Sequence, residues 1–549
     1  MYADNEQVDV EKGSTLKRGF SLQDAALFGI GGAVGSGILF AAAGGTAFAG
    51  PGVVISWIIA AIMITIVTIP FAEFSSMAPR GGISARIGYY SFGSYGGFIG
   101  GWALFLWAVM IPPIEAVAVA TYASYWVPQF TNGTFLTPLG IFVSVIITIF
   151  FVLLNLAGVK GLGKFNTIIT WIKVGVVVLL IIIVPLVLFH SSNFTTPSFI
   201  LPTNGWSGIF IAIPASGILF SFGGYRQVAD MAGEIKNPKR NLPLAIGITI
   251  VVQSVLYILM AVVIVGAVDW KALNFAPGDW GSVSTLGSPL ADLMRAGSTV
   301  VPGFGGPLLA GLVVVALAFA VFSPLGTFGV FITGASRIVF GFTRENALPQ
   351  KLGATNKRGV PTYAILLVAV VGDLFLIPLH SWYSLVDFVV VAAVVNFAIV
   401  AASVPIIRKS YPNLHRPFKV PFGTAWSLVA FVVASLLIYW STYPTTLYAL
   451  GATLAGSVVF LYQGIKTKWH NINLKGSIWI PIYIMGLMIL SYLGSSITGG
   501  SDIIPFPYDV YVVIAYGIVF WIISQVSASK EPLGDMQSLV ENAPVDAEA

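Results

Sequence analysis

Cysteine is absent from this chain, histidine occurs only four times, and charged side chains make up just 9% of its 549 residues. The lack of cysteine excludes disulfides, thiolate catalysis and cysteine-ligated metals, and it leaves the redox compartment open. The histidines, His190, His380, His415 and His470, fall in loops or at the ends of apolar runs with no ligand spacing among them, so no metal site is expected. A glycine loop ending in Lys-Ser or Lys-Thr is also missing, which removes the signature of an ATP-driven motor, and no cofactor is expected. The scarcity of charge restricts the chain most. With 57% hydrophobic residues and a mean hydropathy of +0.90, a soluble fold of this length would lack the polar surface to cover itself. The solvent for most of this chain is lipid.

What is present in place of charge is a series of fourteen apolar runs, each long enough to cross a hydrocarbon core of roughly 30 Å as a helix. They lie near 21–48, 51–77, 96–127, 138–157, 164–190, 207–230, 243–268, 303–336, 361–379, 383–407, 423–442, 445–465, 477–495 and 509–528. Lipid supplies no hydrogen-bond partners, so each run must satisfy its own backbone, and the abundant Val, Ile and Phe do not argue for strands. The expected class is an all-α integral membrane protein of about 14 transmembrane helices. With the N-terminus inside, all of the 27 lysines and arginines except Lys173, Lys271 and Arg295 fall on inner segments, which sets a multi-pass orientation with both termini cytoplasmic. The pI near 9.1 therefore reports orientation in a cell membrane and not nucleic-acid binding. Residues 1–20 are polar and carry no cleavable signal; residues 529–549, with Glu531, Asp535, Glu541, Asp546 and Glu548, read as an acidic disordered tail. The longest outer segment, 269–302, reads either as a cap over the outer mouth or as a solvated loop.

Span 1 contains Gly29, Gly31, Gly32, Gly35 and Gly37, and each glycine costs a helix about 1 kcal/mol relative to alanine. A break at Gly35-Ser36-Gly37 is therefore cheap. Span 6 has a matching weak point at Ser221-Phe222-Gly223-Gly224, and a repeat of five spans inserts with opposite polarity. Two such interrupted helices cross near the midplane, where freed amides favour a carboxylate and freed carbonyls favour an ammonium, a combination that suits a zwitterionic amino acid. The bland alternative is that these glycines only allow close helix packing. The pentapeptide Ser-Gly-Ile-Leu-Phe occurs at 36–40 and at 216–220, without any requirement that the copies be in register.

Three ionisable residues lie at depth. Glu115 sits midway along span 3 after Pro112 and Pro113, and its role stays open between proton carrier, substrate contact, partner of Arg226, and a permanently protonated carboxyl bonded to a neighbouring helix. Arg226 follows the span 6 break, cannot shed its proton, and needs Glu115, Glu234 or a ligand carboxylate, unless it is simply an inner-edge arginine. Lys160, at the start of span 5, is either another inner-edge residue or a cation reaching between helices. Asp373 and Asp387 read as interfacial.

Gly35-Ser36-Gly37-Ile38, Phe220 to Tyr225 followed by Ala232-Gly233-Glu234-Ile235-Lys236-Asn237-Pro238-Lys239-Arg240, and Ala335-Ser336-Arg337 through Arg344-Glu345-Asn346-Ala347-Leu348-Pro349 together resemble the amino acid-polyamine-organocation permeases over about residues 20–408. The four further spans resemble a fourteen-helix subgroup that includes proton-coupled aspartate and glutamate carriers. The resemblance implies a LeuT-like 5+5 inverted-repeat core with broken helices 1 and 6, over 21–190 and 207–408, and four additional spans over 423–528. It further implies alternating access, a ligand carboxylate on the amides of Ser36 and Gly37, and an ammonium on carbonyls around Phe220, Ser221, Phe222 and Gly223, with the Phe220 ring as an outer gate. Lys160 would stand where sodium-coupled relatives hold an ion, near Ser323 and Thr327. The family often has an acidic residue where this chain has Arg226, which points to an anionic ligand side chain or to an internal Arg226–Glu115 pair. The expected function is secondary active transport of amino acids by proton symport; the alternatives are exchange, carriage of a related amine, a channel or an intramembrane enzyme. The expected partners are the amino acid, the proton and the bilayer, with the oligomeric state open.

Overall fold

The computed structural model describes residues 19–528 except 80–82, 157–161, 345–347, 357–360, 467–468, 470–473 and 475, together with Leu533 and Met536. Among the described residues, the regular structure is helical apart from one short hairpin, Thr131–Asn132 paired with Phe135–Leu136. Span 1 comprises Leu22–Ala33 and Gly37–Ala49, span 2 is Val53–Met77, span 3 Ile83–Ala123, span 4 Pro138–Leu156 and span 5 Leu162–Val187. Span 6 comprises Gly205–Ala215, Ile218–Ser221 and Gly224–Asp230; spans 7 to 10 are Pro238–Gly266, Gly305–Arg344, Thr362–Leu374 and Trp382–Ser410. Spans 11 to 14 are Thr424–Tyr439, Thr445–Lys466, Trp479–Leu493 and Tyr508–Ser527. Among the described residues, nine helical stretches are long and apolar enough to cross a membrane on their own, and four shorter apolar helices accompany them.

Where each span sits follows from which of its faces are apolar. The hydrophobic cores of spans 3 and 10 are wholly buried, as expected of helices that are apolar all round. Spans 4 and 5 instead turn Phe142, Phe150, Leu153, Ile168, Ile172 and Leu186 outward, an apolar belt that only lipid can cover. Span 3 starts earlier than its hydropathy suggests, because a helix from Ile83 continues through a kink at Gly93, whose φ of 78° suits glycine; it ends at Ala123, so residues 124–127 are not helical.

Span 1 opens at Val34–Ser36, where glycine density puts the break. Span 6 opens twice, at Phe222–Gly223 as its sequence suggests and also at Ser216–Gly217, where Gly217 adopts φ 87° against the Trp382 ring. Both Ser-Gly-Ile-Leu-Phe copies therefore begin at a break, which the sequence alone left without structural weight. The breaks touch: a Cβ on Gly37 would meet the Ser221 side chain, and one on Gly45 would lie 3.3 Å from Ser216 Oγ.

We call the side where span 1 starts the amino-terminal face and the other the far face. On the far face, segment 269–302 is packed as a cap and is not a solvated loop. It contains the short helix Trp280–Ser284 and the helix Pro289–Val300, buries Trp280 to 1% exposure, and bonds Trp280 Nε1 to the Thr196 carbonyl at 2.8 Å. On the amino-terminal face, buried Glu73 of span 2 accepts two hydrogen bonds from Arg408 of span 10 (3.0 and 2.6 Å) and one from the Val420 N–H, with Arg416 at 3.6 Å. Asp387 is not interfacial either: it is 2% exposed and accepts the Thr442 hydroxyl at 2.6 Å, tying span 10 to the connection between spans 11 and 12. Most of the acidic tail lies outside the described residues, but Met536 is buried and the Leu533 carbonyl accepts the Tyr411 hydroxyl at 2.9 Å.

Candidate substrate and coupling site

Unwinding span 1 frees backbone groups that must be satisfied in the protein interior, and the partners they find define the site. The Val34 carbonyl accepts the Ser323 hydroxyl of span 8 at 2.7 Å. The Gly31 carbonyl accepts Lys173 Nζ of span 5 at 3.1 Å, and the same ammonium donates to Thr327 Oγ1 at 3.3 Å. Half-helix Gly37–Ala49 has no side-chain cap of its own. Glu115 of span 3 brings a carboxylate to this end instead, lying close to Gly35 and Ser36, so an acid already sits near the positive end of that half-helix. A Cβ on Gly35 would come within 3.0 Å of Glu115 Oε1, so glycine lets the carboxylate approach, while Glu115 Oε2 is buried with no partner.

Glu115 and Lys173, both buried, bear on each other electrostatically across this unwound segment. Lys173 therefore occupies the place between spans 1 and 8, beside Thr327, that the resemblance gave to Lys160. Lys160 itself lies outside the described residues. The signal that could have found Lys173 is its place well inside an apolar span, where ionisable groups are costly.

The far side of the breaks is closed by rings. Phe40 stacks on Tyr122 and Trp382 at 4.6 and 5.0 Å, and Phe220 meets Trp382 edge-on at 6.0 Å. Trp382 Nε1 donates to Ser36 Oγ at 2.9 Å, so the lid is bonded directly to the break. Such pairs are each worth roughly 0.5–1.5 kcal/mol beyond burial, few enough to open and close. Phe222 points elsewhere, between Trp57 and Tyr257, and the Ser221 carbonyl accepts the Tyr257 hydroxyl at 3.1 Å.

Beneath Phe220 and Gly223 lies a cavity of about 20 Å³, room for one water, bounded also by Ile64, Trp107, Tyr225 and Phe397. Arg226 forms part of its wall. The guanidinium is 2% exposed and lies 4.4 Å from the centre of the Trp107 ring, and its Nε and Nη1 have no hydrogen-bond acceptor. The carboxylate it feels is Asp230, one turn further along the same half-helix, and not Glu115, so the internal Arg226–Glu115 pair is not formed. Sequence reasoning passed over Asp230, although a carboxylate four residues from an arginine on a helix is a neighbour by spacing.

Of the residues expected at the site, Gly35, Ser36, Gly37, Glu115, Ser221, Ser323 and Thr327 converge on the two breaks, and Phe220, Gly223 and Arg226 adjoin the cavity. The arrangement combines an amide end with a carboxylate beside it, a buried acid and base astride the break, and a cationic recess one turn away.

The family model described as amino acid permease matches residues 20–465. The glutamate/serine transporter AimA of Bacillus subtilis is 32% identical over 515 residues, covering 90% of this chain and 91% of that protein. The aspartate-proton symporter of the same organism is 29% identical over 523 residues, covering 93% and 97% respectively. The aromatic amino acid transport protein AroP of Escherichia coli K12 is 26% identical over 453 residues, covering 78% and 91%.

Proposed function

Given that this chain belongs to the amino acid permease family, we propose that it imports acidic amino acids together with protons by alternating access. Spans 1–10 are the carrier, as two five-span units over 21–190 and 207–408 inserted with opposite polarity, and the amino-terminal face is cytoplasmic. The observation that carries the reading is Glu115 packed beside Gly35 and Ser36 at the start of half-helix Gly37–Ala49, the amide end a substrate α-carboxylate would use. Two carboxylates cannot share that end: like charges about 4 Å apart repel by roughly 4 kcal/mol at an effective dielectric of 20. An arriving substrate therefore displaces Glu115, and the displaced acid takes a proton. Because Lys173 acts on the same acid, that proton belongs to the pair and not to one member. Once Glu115 is neutral, the Lys173 ammonium loses the counter-charge that helps to hold it against the Gly31 carbonyl and Thr327, which frees Leu22–Ala33 to move relative to span 8.

The acidic side chain is assigned to Arg226, which has two unpartnered nitrogens and forms part of the wall of a recess otherwise lined mainly by apolar groups. Two relatives whose names carry glutamate/serine and aspartate-proton transport support the same reading. In liposomes, an inside-alkaline gradient should accelerate uptake of labelled L-glutamate several-fold, and Lys173→Ala should abolish the acceleration. Uptake that needs preloaded amino acid and ignores pH would make the protein an exchanger instead.

A further inference from the structure

A second cavity, of about 280 Å³, opens on the far face between the end of span 3, the hairpin and the cap helix Pro289–Val300. Its character is opposite to that of the buried recess. Ser124, Tyr125, Thr131, Ser288, Asp292 and Arg295 line it, with glycine and proline completing the wall and no aliphatic side chain larger than proline. It is large enough for several waters or one small polar molecule.

The two charges in it are arranged for a ligand that carries both signs. Asp292 and Arg295 stand three residues apart on the cap helix, so they are neighbours on one face. Each is held by a group other than its opposite: Asp292 accepts the Ser288 N–H at 2.9 Å, and the Arg295 guanidinium lies 5.4 Å from the centre of the Tyr125 ring. Partial burial pushes the Asp292 carboxyl above its ordinary range, against the opposing pull of the Ser288 N–H and Arg295, so a cation entering the pocket would find a carboxylate short of compensation. Arg295 and Lys271 are also the two basic residues that the charge pattern leaves on this face. The pocket adjoins the lid: Tyr125 lies three residues beyond Tyr122, which stacks on Phe40, and the cap lies against half-helix Gly37–Ala49, with the Trp280 carbonyl 3.3 Å from the Thr46 hydroxyl.

We propose that this pocket is a second, outer binding site for a zwitterionic α-amino acid, which places its carboxylate on Arg295 and its ammonium on Asp292 before the lid opens. Recognition rests on the two groups common to all α-amino acids, so the site does not distinguish side chains, and N-acetylation of the ligand removes the arm that Asp292 holds. The central site selects and this one captures.

The test is equilibrium dialysis of labelled L-glutamate and labelled L-serine against the purified full-length protein in detergent, with Arg295→Gln and with Asp292→Asn, the latter keeping an acceptor for the Ser288 N–H. The expected result is two glutamates bound per chain in the parent, one in each variant, and failure of N-acetyl-L-glutamate to compete for the Arg295-dependent portion. The Arg295-dependent portion of serine binding should be lost in Arg295→Gln as well. One glutamate bound in the parent and one in Arg295→Gln overturns the outer site and leaves the central reading standing. One in the parent and none in Arg295→Gln supports the outer site and removes the central one. Two in the parent and two in both variants also overturns it, because the second ligand then sits elsewhere.

Discussion

Replacing Arg226 by alanine separates recognition of the side chain from recognition of the amino-acid backbone. Two guanidinium nitrogens are buried without acceptors, so the cation carries a desolvation cost that its contact with Trp107 and the fields of Asp230 and Tyr225 offset in part. A ligand carboxylate filling the recess would make two charge-assisted hydrogen bonds, each worth about 1.5–3 kcal/mol. Truncating one partner of such a buried pair costs about 2–5 kcal/mol, which at 1.4 kcal/mol per decade is roughly a 30- to 3000-fold loss of affinity for glutamate or aspartate. Glutamine and serine have no charge to place there, so their affinity should change only a few-fold, and removing an unpaired cation could even help them. The assay is competition: L-glutamate, L-aspartate, L-glutamine and L-serine are titrated against uptake of a labelled substrate in the parent and in Arg226→Ala. The glutamate-to-glutamine preference should collapse by at least about 30-fold. Equal losses for acidic and neutral ligands would refute the assignment and leave Arg226 a structural role beside Trp107.

Other substitutions test the frame around the site. Gly37→Ala inserts a methyl against the Ser221 side chain, with the Ser221 backbone 3.5 Å away, and should abolish uptake while the protein still reaches the membrane; normal uptake would show that the half-helices do not need this contact. Glu73→Gln leaves Arg408 and Arg416 facing each other without their shared anion, and removal of one member of such a cluster costs about 3–5 kcal/mol, so a clear fall in thermal stability in detergent is expected. An unchanged melting temperature would mean that water already compensates these charges.

The fold was largely readable because lipid imposes one rule: each span must satisfy its own backbone, so length and hydropathy suffice to count spans. The breaks in spans 1 and 6 were readable for a related reason, since glycines clustered inside an apolar helix are expensive unless the helix opens there. The extra opening at Ser216–Gly217 was signalled only by a repeated pentapeptide, whose meaning depends on a positive φ that sequence does not display. Lys173 was harder for a different reason. Lys173 stands eleven residues past Leu162, where its span begins, and at about 1.5 Å per residue that is roughly 17 Å into the helix; depth is what makes a cation a partner for freed carbonyls. The pairing of Glu73 with Arg408 and Arg416 joins residues more than 330 positions apart, and no local pattern carries it.

The account depends on substrate displacing Glu115 from beside Ser36, with capture of a proton. Its most direct measurement is the pH change on adding L-glutamate to concentrated, weakly buffered protein, followed with an indicator dye near neutral pH. About one proton should be taken up per chain at saturating ligand in the parent, and none in Glu115→Gln, which still binds. Binding without proton uptake in the parent, or the same uptake in Glu115→Gln, would contradict it.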